Sequence, residues 1–315
     1  MKKIVLFAQG VQPRVVEVIA AEQGVVVAND IGALPQELQL AHALVIQDPA
    51  WSAEVARLAR TAPNLRWVQL LTSGFDNIAT HGAPDGASIT NARGAFSPAV
   101  SVHAVSLYLA LLRNVPQMVV QKPRHAWDRS FAAKIITPAE TKVMIAGFGS
   151  IGREIARLLK NFGVWIVGAT RSGASHFLAD EMIAGGEIRA RLPDMDCVFL
   201  CLPLTDDTRN LIDADVLDSM KSDAVIVNVG RGALIDQFAL ARALREGQIG
   251  GAAVDVTAPE PLPADHPLWD APNVIVSPHV AGAAGALGAR RQAEAATENI
   301  RRFQRDETLN NLIVL

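Results

Sequence analysis

The stretch Lys142-Val-Met-Ile-Ala-Gly-Phe-Gly-Ser-Ile-Gly152 places a short apolar run directly before the pattern Gly-x-Gly-x-x-Gly. The run predicts a buried strand, and the segment 151–161 predicts a helix. The first glycine permits a tight turn, the second a close approach of backbone to a diphosphate, and the third close packing of helix on strand. A diphosphate at the helix N-terminus would contact Gly147, Phe148, Gly149, Ser150, Ile151 and Gly152.

Short β-branched runs separated by helical segments continue on both sides of this stretch. From 142 onwards they predict six strands, at 142–147, 164–170, 196–202, 224–229, 250–255 and 273–276. Upstream they predict five more, at 4–8, 25–28, 43–47, 66–71 and 88–90. Alternating strands and helices of this kind are typical of parallel sheets covered on both faces.

Two helices connect the two series. A long apolar helix at 99–113 follows Pro98, and a final helix at 283–303 is long enough to return to the first series. We therefore expect an α/β protein with two doubly wound parallel-sheet domains. A Rossmann domain at 98–284 would be inserted in a flavodoxin-like domain formed by 1–97 and 285–315.

Composition excludes several classes of protein. The chain has 315 residues and a net charge of −3, without a block of like charge, so we expect no nucleic-acid partner. No apolar run approaches about 18 residues, so we expect no membrane span and a cytoplasmic protein. Cys197 and Cys201 are expected to be inert core thiols. No His, Cys or Asp cluster has metal-ligand spacing, so no metal is expected.

The residues after the second strand of the 142–276 series bear on the choice of dinucleotide. NAD-binding sheets usually carry Asp or Glu there, on the ribose 2′-hydroxyl. This chain instead has Thr170-Arg171-Ser172, which lacks the acid and offers a guanidinium for a 2′-phosphate. We therefore predict NADP(H) as the preferred cofactor. The alternative is that Arg171 is a solvated arginine stacking on adenine, and NAD(H) use stays open.

Three side chains with complementary chemistry follow later strands. Arg231 lies between two glycines, Glu260 between two prolines, and His279 after Ser277-Pro278. In parallel sheets, the carboxyl ends of the strands face the ligand. An arginine suits a planar anion, and a histidine backed by a carboxylate can act as an acid. The set predicts a carbonyl reductase for an anionic substrate.

Together these motifs resemble the D-isomer-specific 2-hydroxyacid dehydrogenase family. The resemblance is specific from 142 to 282 and weaker before 90. Beyond the glycine pattern it is carried by Leu202-Pro-Leu-Thr205, Asn228-Val-Gly-Arg-Gly-Ala-Leu-Ile-Asp236, Val254-Asp-Val256, Pro259-Glu-Pro261, His266-Pro-Leu-Trp269 and Ser277-Pro-His-Val-Ala-Gly282. Ser73-Gly74-Phe-Asp76 resembles the family's substrate loop.

The resemblance implies a role for each matched residue. His279 would protonate the carbonyl oxygen as hydride arrives, and Glu260 would keep His279 protonated. Arg231 would bind the substrate carboxylate and polarise the carbonyl, with the backbone N–H groups of Ser73 and Gly74 holding the other end of the carboxylate. Asp255 would orient the nicotinamide amide. The further residues implied to contact the cofactor are Leu202, Pro203, Thr208, Val229 and Gly230.

The expected activity is NADPH-dependent reduction of a small 2-oxo acid, such as glyoxylate or hydroxypyruvate, to the D-2-hydroxy acid. Two alternatives remain, an NAD-dependent dehydrogenase for a bulkier or phosphorylated substrate and a dinucleotide-sensing corepressor. A homodimer is expected through the apolar face of 99–112. On that helix His103 is expected only to pack at the domain junction, and Val102 replaces the acidic residue that many family members carry.

Overall fold

The computed structural model describes residues 1–313 and divides into two compact units. Met1–Phe96 and the segment from Ala284 onwards form one, which we call the first unit. Ser97–Ala283 forms the other, which we call the inserted unit. Each contains its own parallel sheet with helices on both faces, so the predicted fold class is confirmed.

The sheet of the first unit has the strand order β2-β1-β3-β4-β5, with every pairing parallel. Its strands are β1 (Ile4–Phe7), β2 (Val25–Ala28), β3 (Ala43–Ile46), β4 (Trp67–Leu70) and β5 (Ser88–Thr90). The helices between them are α1 (Pro13–Ala20), α2 (Leu34–Leu38), α3 (Ala53–Arg60) and α4 (Asp76–His81). Ser52 is the N-cap of α3, because its side chain accepts a hydrogen bond from the Val55 amide.

The inserted unit contains a seven-stranded parallel sheet of order β12-β11-β10-β9-β6-β7-β8. Its strands are β6 (Lys142–Ala146), β7 (Trp165–Thr170), β8 (Glu181–Ala184), β9 (Cys197–Leu200), β10 (Val225–Asn228), β11 (Gly251–Val254) and β12 (Val274–Val276). Its helices are α5 (Ser97–Leu112), α6 (Val115–Gln121), α7 (Ser150–Leu159), α8 (Ile188–Arg191), α9 (Ala214–Ser219) and α10 (Gln237–Glu246). The order reverses between β6 and β9, where such sheets bind dinucleotides.

The prediction of six strands for this sheet was wrong by one, because β8 was missed. This four-residue strand pairs only with β7, at the edge of the sheet. Ile183 is its one buried residue. Its sequence Glu181-Met-Ile-Ala184 opens with a charged residue and contains one β-branched residue, so it gives little strand signal.

The last helix, α11 (Gly285–Gln304), completes the first unit. Alternate residues of β1 point to opposite faces of the sheet. Ile4 and Leu6 pack in a cluster with Ala296 and Ile300 of α11, whereas Val5 and Phe7 pack in a second cluster on the opposite face. The expectation that the final helix packs on the first series of strands is therefore confirmed.

Helix α5 is apolar because it is largely a core helix of the inserted unit. It packs against α7, β10 and β11 and buries residues such as Tyr108 and Leu112. Within 1–313, no single helix has both the length and the apolar character to cross a membrane. One bent pair, Ser97–Leu112 with Val115–Arg124 at 68°, meets that test by length and composition only.

Candidate active site

The glycine loop after β6 combines two structurally required glycines with one that leaves space. Gly147 has a φ of +97°, and a Cβ there would lie 2.6 Å from the Cys201 carbonyl oxygen. A Cβ at Gly152 would collide with the Gly147 carbonyl oxygen. At Gly149 a Cβ would meet no atom within 4 Å. The first and third glycines thus allow the fold, and the second borders open space that a ligand can approach.

Helix α7 begins at this loop with its amides uncapped. Gly149 is its N-cap and offers no side-chain acceptor, and the first turn has no acidic residue. Unsatisfied N–H groups at a helix N-terminus bind anions. The loop and helix therefore fit a dinucleotide diphosphate. Phe148 is 1% exposed, so only its backbone can face such a ligand, whereas Ser150 is exposed.

The segment after β7 presents an arginine without a protein partner. Thr170 turns the chain, because its Oγ1 accepts a hydrogen bond from the Gly173 amide at 3.0 Å. Arg171 and Ser172 are exposed. Among residues 1–313, Arg171 forms no hydrogen bond or ion pair, so its guanidinium is available to an anion.

The loops after β9 and β10 lie against each other at the carboxyl ends of their strands. Thr208 shapes the first loop, since its Oγ1 donates to the Pro203 carbonyl and accepts from the Thr205 amide, each at 2.8 Å. In the second loop a Cβ at Gly230 would lie 2.9 Å from the Leu202 carbonyl oxygen. Leu202 is half-buried, Pro203 is exposed, and Val229 is buried.

His279 and Glu260 form a hydrogen-bonded pair at the ends of β12 and β11. The distance from His279 Nδ1 to Glu260 Oε2 is 2.8 Å. The other carboxylate oxygen of Glu260 accepts from the Thr257 amide at 3.0 Å, which fixes the carboxylate in its own loop. The side chains are 58% and 39% exposed respectively, so both remain accessible to a ligand.

Arg231 lies in the loop after β10, the strand next to β11. Asn228 shapes that loop, with Nδ2 donating to the Arg231 carbonyl at 2.9 Å and Oδ1 accepting from the Gly230 amide at 3.1 Å. Nη1 of Arg231 donates to the Gly230 carbonyl at 2.7 Å. Because β10, β11 and β12 are consecutive in the sheet, their loops carry Arg231, Glu260 and His279 along one edge.

Asp255 organises the backbone around His279. It is 2% exposed, and its carboxylate accepts from Ser277 Oγ at 2.5 Å and from the amides of Val280 and Ala281 at 3.0 Å each. Its own carbonyl accepts from the His279 amide at 2.8 Å. These contacts place Asp255 under the turn that presents His279, which sequence reasoning had not indicated.

The sequence also gave no sign of the hydrogen bonds that hold the loop carrying Glu260. Gln237, the first residue of α10, donates to the Ala258 carbonyl at 2.6 Å and accepts from the Ala258 amide at 3.3 Å. A Cβ at Gly232 would collide with Thr257, so the loops after β10 and β11 touch through their backbones. These contacts involve the main chain, and only the glycine of Arg231-Gly232 signalled them in the sequence.

The predicted substrate loop lies in the first unit, after β4. Asn91 Nδ2 donates to the Ser73 carbonyl at 2.8 Å, and Thr72 Oγ1 donates to the Gly74 carbonyl at 2.9 Å. Gln292 of α11 donates to the Leu71 carbonyl at 2.7 Å. Within the described part of this unit, the amides of Ser73 and Gly74 donate to no protein acceptor. The loop is thus held by its carbonyls while two N–H groups stay unpaired.

The two cysteines lie away from this chemistry. Cys197 is buried in β9 and Cys201 follows that strand, and both are free thiols. Burial raises the pKa of the Cys201 thiol to about 12, and burial together with Asp196 raises the pKa of Cys197 well above its usual range. Both thiols are therefore protonated near neutral pH and poor nucleophiles.

A glycine loop at the topological switch point and a His–Glu pair at the same sheet edge are typical of an NAD(P)-dependent oxidoreductase. Residues 105–281 match the model described as "D-isomer specific 2-hydroxyacid dehydrogenase, NAD binding domain". The chain belongs to the D-isomer-specific 2-hydroxyacid dehydrogenase family, and it is an NAD(P)-dependent oxidoreductase of that family.

Relatives and solved structures resemble most of the chain. A glyoxylate reductase of Aeropyrum pernix is 36% identical over 267 residues, which cover 81% of this chain and 78% of that protein. A glycerate dehydrogenase of Methylorubrum extorquens is 33% identical over 70% of each chain. The Xanthobacter autotrophicus D-isomer-specific 2-hydroxyacid dehydrogenase, solved with NADPH and MES, has a TM-score of 0.84 at 26% identity, covering 100% of this chain and 98% of that one.

Proposed function

We propose that the protein reduces a small 2-oxo acid of the glyoxylate or hydroxypyruvate type to the D-2-hydroxy acid, with NADPH as the preferred reductant. The observation that carries this proposal is the 2.8 Å contact between His279 and Glu260 at the sheet edge that also carries Arg231. An acid, a carboxylate behind it and a guanidinium are the groups that carbonyl reduction beside a carboxylate requires.

His279 is the proposed proton donor. Its Nδ1 faces Glu260, so Nε2 is the nitrogen that can donate to the carbonyl oxygen as negative charge develops there. The Glu260 carboxylate stabilises the protonated imidazole and fixes its orientation. A positioned general acid contributes roughly 10²–10⁴-fold to the rate.

Arg231 is the proposed anchor for the substrate carboxylate. A guanidinium presents a planar fork that pairs with two carboxylate oxygens and stabilises charge on a neighbouring oxygen. The unpaired amides of Ser73 and Gly74 are the proposed second set of donors to that carboxylate. This set favours small 2-oxo acids over neutral ketones, because a neutral ketone lacks the carboxylate with which the guanidinium and the two amides pair.

Bound at the Gly147–Gly152 loop, the cofactor supplies the hydride. Arg171 is the proposed ligand of its 2′-phosphate, because the side chain is exposed, has no side-chain partner within residues 1–313 and directly follows β7. The Xanthobacter enzyme was solved with NADPH, which is compatible with this choice. The names of the Aeropyrum and Methylorubrum relatives point to glyoxylate and glycerate chemistry.

A homodimer is part of the proposal. Four apolar side chains on α5 and α6 of the inserted unit are 43–63% exposed, and three of them are consecutive in α6, namely Met118, Val119 and Val120 after Val102 of α5. Contiguous exposed apolar residues mark association surfaces. Because the surface belongs to one chain, a second copy is the simplest partner to cover it.

The deciding experiment is a screen of the purified protein with glyoxylate, hydroxypyruvate, pyruvate and 3-phosphohydroxypyruvate, each with NADPH and with NADH. We expect the highest kcat/KM for glyoxylate or hydroxypyruvate with NADPH, and chiral chromatography should identify a D-product. A preference for the phosphorylated acid with NADH would contradict both the substrate and the cofactor. Cofactor binding without turnover of any acid would instead favour a dinucleotide-sensing protein.

A further inference from the structure

His103 on α5 contacts the buried carboxylate that underlies His279. Its Nε2 lies 3.1 Å from Ser277 Oγ and 3.3 Å from Asp255 Oδ1. Ser277 Oγ in turn lies 2.5 Å from Asp255 Oδ1. All three residues belong to the inserted unit, and Ser277 and Asp255 are buried. The sequence indicated only a packing role for His103.

The hydrogen bonds define the protonation of this cluster. The Ser277 hydroxyl donates its single proton to the Asp255 carboxylate. Nε2 of His103 must therefore carry a hydrogen, which it donates to Ser277 Oγ or Asp255 Oδ1. In the described structure the Asp255 carboxylate thus has four neighbouring donors, from His103, Ser277, Val280 and Ala281.

The cluster surrounds a turn that needs support. His279 has a φ of +52°, in the left-handed region that non-glycine residues occupy at a cost of order 1 kcal/mol. Asp255 holds this turn from both sides, through its carbonyl to the His279 amide and its carboxylate to the Val280 amide. Helix α5 packs on β10 and β11, and this packing fixes the position of the His103 backbone.

We infer that His103 is a positioning residue that locks the Asp255–Ser277 pair and so holds His279 in register with Glu260. The inference rests on the proposed role of His279 as proton donor. His103 itself touches no reacting atom. Its loss should therefore misplace the acid without removing the guanidinium or the glycine loop, and a shift of the order of 1 Å in a catalytic group can cost about 10²-fold in rate.

The test compares three variants with a control. His103→Leu removes the donor, His103→Gln keeps an amide N–H near the Nε2 position, and Ser277→Ala removes the link between them. We expect His103→Leu and Ser277→Ala each to lower kcat roughly 10- to 100-fold, with the KM for the 2-oxo acid and the Kd for NADPH unchanged. His103→Gln should restore most of kcat. The control Ser106→Ala removes a hydroxyl that, among residues 1–313, is bonded only to the Val102 carbonyl of α5, and it should behave as wild type.

A second readout does not depend on turnover. Imidazole NMR of histidine-labelled protein should show the His279 resonances displaced in His103→Leu and restored in His103→Gln. Unchanged His279 resonances in His103→Leu, or a Gln variant no better than Leu, would overturn the inference. If the wild-type protein turned over no 2-oxo acid, the proposed function would fail, while the resonances would still decide whether His103 positions His279.

Discussion

His279 combines an exposed imidazole with a constrained backbone. Left-handed backbone at a non-glycine residue is uncommon and often marks a functional site. Here the φ of +52° directs the chain so that Nδ1 reaches Glu260 at 2.8 Å. The hydrogen bonds from the 279 and 280 amides to Asp255 offset the conformational cost. The geometry therefore supports assigning acid–base chemistry to this histidine.

Replacing His279 tests that assignment. His279→Gln keeps a polar side chain of similar size but no titrating acid, so kcat for 2-oxo acid reduction should fall by about 10²–10⁴-fold. The Kd for NADPH, measured by quenching of intrinsic fluorescence, should stay at the wild-type value because the Gly147–Gly152 loop is untouched. Retention of more than a tenth of wild-type kcat would exclude His279 as the acid.

Arg171 should determine the dinucleotide. A charge-assisted hydrogen bond contributes about 1.5–3 kcal/mol, so Arg171→Ala should raise the KM for NADPH about tenfold or more and leave the KM for NADH nearly unchanged. Initial rates with both cofactors at saturating 2-oxo acid measure this. Arg242→Ala, which removes an exposed arginine from α10, is the matched control. Equal rises for both cofactors would assign Arg171 to adenine stacking instead.

At this scale, local sequence signals anticipated some residues and not others. Short motifs predicted the glycine loop and three side chains of the candidate site. Characteristic neighbours in the sequence flank each of these side chains, namely Arg231, Glu260 and His279. Gln237 and His103 lack such a setting, because each acts through contacts with residues more than twenty positions away. Nothing local distinguishes a histidine that supports a buried carboxylate from one that fills a helix face.

The loops after β10 and β11 contact each other at the carboxyl ends of the strands, and they approach closely at Gly232. A Cβ at this position would collide with the Thr257–Ala258 backbone, which anchors Glu260. Gly232→Ala should lower kcat and also destabilise the protein by about 1–3 kcal/mol, because the backbone must shift. Urea unfolding and steady-state kinetics measure the two effects. Gly186→Ala, where a Cβ would meet nothing within 4 Å, should change neither.

His266 caps the turn Pro267–Asp270 and should make stability depend on pH. Its Nδ1 accepts from the Leu268 amide at 3.2 Å, and burial lowers the pKa of the imidazole against the opposing effect of Asp265. The unfolded chain therefore binds the proton more readily than the folded one. The stabilisation is complete above the ordinary histidine pKa of about 6.5 and is lost as pH falls through it toward the lowered value.

The matched variant His266→Asn keeps an acceptor for the Leu268 amide but does not titrate in this range. Urea unfolding at pH values above and below about 6.5 should show a smaller loss of unfolding free energy in acid for His266→Asn than for wild type. The same loss in both proteins would assign the acid sensitivity to other groups.

Element boundaries were predicted well where a core imposes periodicity. The five strands of the first unit and six of the seven in the inserted unit follow short apolar runs, most of them buried, whereas the edge strands β2 and β12 are only partly buried. Strand β8 was missed because Glu181-Met-Ile-Ala184 opens with a charged residue and has one β-branched residue, a weaker strand signal than the valine-rich edge strands β2 and β12. Burial does not account for this difference, because β2 has one buried residue and β12 has none, whereas both are rich in β-branched residues.

At the scale of the whole molecule, the chain leaves the first unit at Phe96 and returns to it at Ala284. The returning helix α11 supplies Ala289, Ala293, Ala296 and Ile300 to one core cluster of that unit, and Gln292 to the carbonyl that precedes the Ser73–Gly74 loop. The end of the chain is therefore needed to build the first unit and to fix its loop. A topology of this kind makes the first unit dependent on residues that follow the whole inserted unit.

The exposed apolar residues of α5 and α6 predict a dimer in solution. If a second copy covers Val102, Met118, Val119 and Val120, the protein in solution should have twice the 33.6 kDa mass of the chain. Val119→Glu should then dissociate the dimer, because a carboxylate buried in an apolar interface without a partner costs several kcal/mol. Analytical ultracentrifugation measures both states.

Leu40→Glu, which adds the same charge at an apolar residue 64% exposed in the first unit, is the control and should leave the dimer intact. Because the groups of the proposed mechanism all belong to one chain, the Val119→Glu monomer should retain the His279–Glu260 chemistry. A lower kcat in the monomer at unchanged stability would show that the second copy contributes to catalysis. A wild-type protein that sediments as a single chain would contradict the dimer and leave the surface without the partner proposed for it.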